Sequence, residues 1–159
     1  MLQRIQSVFL FLASGAIFSL LSPMMNFMTL VHGVPNTGSP YSDSIFNIND
    51  DKLLMSLAGV GAVGFLIAIF LYKSRKNQAL LATLCNFIVG ATLIYGLWEA
   101  RETFASTVKP ETASASNIAL QSNYGFAIPM LIVAMILSWL AVRFIRRDEK
   151  LVRSADRLR

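Results

Sequence analysis

Four stretches free of Asp, Glu, Lys and Arg divide the chain, at residues 8–31, 53–72, 79–98 and 124–142. Each is 19 to 24 residues long. A hydrocarbon core about 30 Å thick is crossed by about 20 residues of helix, and only helices or closed barrels satisfy their own backbone there. Barrel strands would show alternation and turn residues about every ten positions, which these runs lack. A soluble core of this size is conceivable from composition alone, with 55% apolar and 14% charged residues. The segregation of the charges decides otherwise. The expected fold class is all-α: an integral-membrane four-helix bundle in one domain spanning residues 1–159.

The first run opens like a secretory leader, with Arg4 ahead of residues 8–21. Its apolar character continues past Pro23 to Val31, and no small-residue cleavage site precedes a polar start. A retained span kinked at Pro23 is therefore expected.

Orientation follows from the basic residues. Arg4, the turn carrying Lys73, Arg75 and Lys76, and the tail 143–159 hold eleven of the fourteen Lys and Arg. The connections 32–52 and 99–123 hold Lys52, Arg101 and Lys109 against six acidic residues. The asymmetry predicts both termini and the 73–78 turn in the cytoplasm, and the two long connections outside. The net charge of +5 is then an orientation signal, and no nucleic-acid partner is expected. In the first outer connection Ile45, Phe46 and Ile48 form an apolar cluster suited to dock on the bundle's outer mouth. The second contains ASTVKPETASAS at 105–116, too polar and small to build a core.

Within the second run, GVGAVG at 59–64 spells a dinucleotide fingerprint. That fingerprint requires a preceding strand and a βαβ unit, and here it lies inside a span. Its reading is steric: Gly61, Gly64 and Ala68 share a helix face, where small residues let backbones approach closely. In the third run Ala79, Thr83, Asn86 and Gly90 also share a face. Asn86 is deep enough that its amide must find a partner inside the bundle. Because a short turn makes these two spans antiparallel neighbours, the two small faces are expected to meet. The lone His32 and lone Cys85 have no metal-site spacing. With no Ser-His-Asp set and no carboxylate inside any span, neither an enzyme nor a cofactor is expected.

The tail RRDEKLVRSADRLR interleaves its charges. Phe144, Leu151, Ala155 and Leu158 fall on one side, interrupted by Asp148. Glu149–Arg153 is an i, i+4 pair worth a few tenths of a kcal/mol. A cytoplasmic amphipathic helix extending the fourth span is the expectation, and its excess of cations suits anionic head groups. The residues expected to dock a partner or lipid are Arg4, Arg147, Lys150, Leu151, Arg153, Ala155, Arg157 and Leu158.

MLQRIQ at the start and RRDEKLVRSADRLR at the end resemble the terminal signatures of an uncharacterised family of small four-span bacterial inner-membrane proteins, a domain of unknown function. The resemblance implies the four-span layout and that membrane, and it assigns no activity. The function expected is a non-enzymatic membrane accessory or scaffold protein whose cytoplasmic ends dock a partner protein or anionic lipid. The alternative is a small oligomeric permeation or lipid-handling module with the Asn86 stripe along its path. Membrane lipids and an unidentified membrane or cytoplasmic protein are the expected partners, and a homo-oligomer is compatible with both readings.

Overall fold

A computed structural model describes residues 2–30, 45–107 and 122–156. The described chain is mostly helical. Helix α1 covers Leu2–Ser19, strand β1 Asn26–Leu30, strand β2 Ile45–Asn47 and helix α2 Lys52–Phe70. A short 3-10 turn over Leu71–Lys73 leads into helix α3, Arg75–Thr107. Strand β3, Ser122–Tyr124, precedes helix α4, Ala127–Asp156.

Local chemistry sets these boundaries. Asp51 is extended, with φ −112°, and its carboxylate accepts the Leu53 amide at 2.8 Å, which caps α2. At the end of α1 the bonding tightens: Leu20, Leu21 and Ser22 donate to the carbonyls three residues back. Pro23 follows, and the residue before a proline is pushed out of helical geometry. This corrects the expectation of a single span over 8–31. Helix ends at Ser19, and residues 26–30 are a strand. The connections differ as well: α3 runs to Thr107, and Ile45–Asn47 and Ser122–Tyr124 are strands within regions expected as loops.

Each helix packs beside two others, α2 and α4 both contacting α1 and α3, so the four close into a ring. Leu10, Ile17, Phe65, Val89 and Leu131 are fully buried between them. The Ser14 hydroxyl donates to the Ala62 carbonyl at 3.0 Å, tying α1 to α2. Three segments, Lys52–Lys73, Arg75–Thr103 and Ala127–Val152, are long and apolar enough to cross a membrane; Ile5–Ser19 is a shorter apolar helix. Outward-facing Phe11, Val63, Phe87 and Ile136 are exposed, as expected of a surface that meets lipid.

The strands form an antiparallel sheet in the order β2-β1-β3. Met28 pairs with Phe46 on one side and with Tyr124 on the other. Phe27, Met28, Phe46 and Ile48 are buried beneath it, with the Phe27 and Phe46 rings edge to face at 6.3 Å. The apolar cluster of the first connection therefore does dock, as the outer strand of this cap. Gly125 donates to the Phe27 carbonyl at 2.9 Å, and a Cβ at 125 would collide with the Asn26 backbone, so β3 approaches this closely only with glycine there.

Candidate functional site

The α2 glycines lie on the contact with α3. A side chain at Gly61 would meet Val89 Cγ2 at 3.3 Å, and one at Gly64 would collide with the Cys85 thiol. Ala68 is buried nearby on α2. The expected partner for this face is corrected: Cys85 and Val89 meet the glycines, while the Thr83–Asn86–Gly90 stripe turns to α4. Ser138 donates to Asn86 Oδ1 at 2.7 Å, and a Cβ at Gly90 would lie 3.6 Å from Met135. The Thr83 hydroxyl donates to the Ala79 carbonyl at 2.7 Å, within its own helix.

The stripe opens onto a groove between α3 and α4. A cavity of about 730 Å³ is lined there by Thr83, Asn86, Phe87, Trp139 and Val142, then by Arg143, Arg146, Arg147 and Lys150. Those four cations recur at i, i+3, i+4 and i+7, one face of α4. Arg143 lies over the Trp139 ring at 5.4 Å, where a guanidinium is attracted to the ring face. Arg143 and Arg146 were read in the sequence only as part of the charge count. Their spacing was visible, but the α3 wall that turns them into one side of a groove was not.

Beyond the groove, α4 continues to Asp156 without a break. Two contacts hold the start of this extension. Phe144 stacks on Phe9 of α1 at 5.8 Å with rings 4° from parallel. Asp148 pairs with Arg75, the first residue of α3, at 2.9 Å. Asp148, the interruption in the apolar stripe, is thus a clamp to the α2–α3 turn. Past it Leu151, part of the expected apolar stripe, and Val152 are 53% and 44% exposed, so the extension presents apolar surface. Arg147 and Lys150 line the groove. Arg4, Arg153 and Ala155 lie within helices, but their side chains are outside the described residues, as are Arg157, Leu158, His32 and residues 105–116 apart from the helical backbone at 105–107.

The ring stack and the ion pair also bring the start of α1, the α2–α3 turn and the end of α4 to one end of the molecule. The basic residues of the turn and of α4 therefore share that end, and the sheet caps the other. At the sheet end a second groove between α3 and α4 is lined by Trp98, Arg101, Glu102 and Tyr124. Among the described residues no group of three or more His, Cys, Asp or Glu is placed to hold a metal ion.

A family model described as Domain of unknown function (DUF4293) matches residues 2–158, and the chain belongs to that family. No curated protein and no solved structure matches it.

Proposed function

We propose that this member of the DUF4293 family is a non-enzymatic, multi-pass accessory protein of the bacterial inner membrane, and that the extension of α4 docks a partner protein. The observation that carries this reading is the unbroken, clamped helix. Asp156 lies eight residues past the Asp148 clamp, about 12 Å along the axis. A helix held upright in this way cannot lie flat on the head groups, so Leu151 and Val152 are offered to something beside it.

Replacing Leu151 and Val152 by Ser keeps every charge, so insertion and orientation are retained. The expected result is loss of a co-purifying protein in mild detergent, read by mass spectrometry, because each buried Leu contributes about 1.5–3 kcal/mol. An identical set of co-purifying proteins from both forms, or none from the unaltered protein, removes the reading.

The proposed orientation puts the basic end in the cytoplasm. Phosphatase fused after Thr107 is expected to be active outside the membrane, and fusions after Asn77 or Arg159 silent. The opposite pattern would reverse the molecule.

A further inference from the structure

We infer that the basic half of the α3–α4 groove is a binding site for one anionic phospholipid, its phosphate among Arg143, Arg146, Arg147 and Lys150 and its ester region against Asn86. This site lies within the membrane, separate from the partner face on the extension.

Charge is the first reason. Among the described residues that line the groove there are four cations and no carboxylate. Of the two nearby acids, Asp148 is held by Arg75, and Glu149 lines a smaller neighbouring cavity with Lys76, Arg146 and Lys150, so the cations outnumber the one acid beside them. Four cations clustered at the margin of a low-dielectric slab favour a further anion among them, and basic residues there are drawn to an anionic leaflet.

Depth is the second reason, and it selects a lipid over a soluble phosphate. Ser138 lies twelve residues before Lys150, about 18 Å along the axis. The groove thus runs from the head-group level into the hydrocarbon, walled by Phe87, Trp139 and Val142. Its volume of about 730 Å³ lies within the roughly 300–1,000 Å³ usual for ligand sites.

The third reason is a polar group at depth. Asn86 Oδ1 accepts the Ser138 hydroxyl, and the Asn86 side chain lines the groove. An amide N–H facing hydrocarbon is costly to leave unmatched, and an ester carbonyl beneath a phosphate is an acceptor for it.

The test is native mass spectrometry of the full chain in detergent, titrated with phosphatidylglycerol or with phosphatidylcholine of the same acyl chains. One saturable phosphatidylglycerol per chain, bound in preference to phosphatidylcholine, is expected. Arg143→Gln with Arg147→Gln, both at exposed positions, should weaken phosphatidylglycerol binding roughly tenfold or more and leave phosphatidylcholine unchanged. Asn86→Leu should weaken both lipids several-fold without changing their ratio. Ser138 keeps its bond to the Met135 carbonyl at 3.0 Å in that variant, so its hydroxyl is not orphaned. The Leu151→Ser, Val152→Ser form should bind lipid normally, which separates this site from partner docking. A preference that survives the paired Arg→Gln change overturns the site, as do several equal adducts in place of one. Displacement of phosphatidylglycerol by millimolar inorganic phosphate also overturns it.

Discussion

Gly64→Leu is expected to remove most of the folded, detergent-stable protein. A Cβ at this position alone meets the Cys85 thiol, and a leucine adds three further carbons with no space to enter. Overpacking typically costs about 1–3 kcal/mol and occasionally more, and here it would wedge α2 from α3 along their shared face. Gly61→Leu should act in the same direction but less severely, since Val89 Cγ2 at 3.3 Å has side-chain freedom to yield. Val60 is 58% exposed on α2, turned out of the contact, and Val60→Leu should change little. The measurement is the monodisperse fraction surviving a temperature ramp in mild detergent. Cys85→Gly should restore much of the stability of Gly64→Ala, because it removes the atom in conflict. Indistinguishable behaviour of Gly64→Leu and Val60→Leu would refute the close contact.

This glycine face was legible in the sequence, whereas its partner was not. Spacing places Gly61, Gly64 and Ala68 on one side of a helix, and Thr83, Asn86 and Gly90 on one side of the next. Which neighbour each side meets depends on the rotation of helices within the ring. That rotation is set by contacts such as Ser14 to Ala62 and Ser138 to Asn86, across 48 and 52 residues of sequence. The same limit hid the groove. The four cations of α4 carry a readable i, i+3, i+4, i+7 pattern, but Asn86 and Thr83 come from another helix. Asp148 read as a flaw in an amphipathic stripe because Arg75, its partner, lies 73 positions earlier.

The spans fared differently according to what bounds them. Helix α3 contains the charge-free run that marked it, and α2 and α4 hold all but two or three residues of theirs, since hydrocarbon demands helix and excludes charge. The first run failed as a single span because hydropathy records burial without recording its kind. Phe27 and Met28 are as apolar as a membrane helix, yet they are buried under a sheet whose other strands lie near residues 46 and 123. Pro23 was read as a kink, and with three tightened turns before it the helix stops.

Phe27→Ala tests that distinction directly. The ring is fully buried, stacked edge to face on Phe46 and pressed against Gly96 of α3. Truncating a buried Phe costs about 3–5 kcal/mol, part of it from the cavity left behind. The loss should be local. Amides of 26–30, 45–47 and 122–124 should exchange hydrogen faster together, while those around Asn86 and Ser138 keep their protection. If residues 26–30 instead continued α1 through the bilayer, exchange at 45–47 and 122–124 would not respond. Phe18→Ala, at a position 41% exposed on α1, should leave the cap intact. Gly96 supplies the decisive cross-check, because a Cβ there would sit 2.6 Å from Phe27 Cε1. Gly96→Ala should destabilise the unaltered protein by forcing the ring aside. In the Phe27→Ala background the same methyl enters the vacated space, so its cost should vanish or reverse. Such a change of sign is the mark of two residues in direct contact, and additive effects would mean that the sheet does not rest on α3.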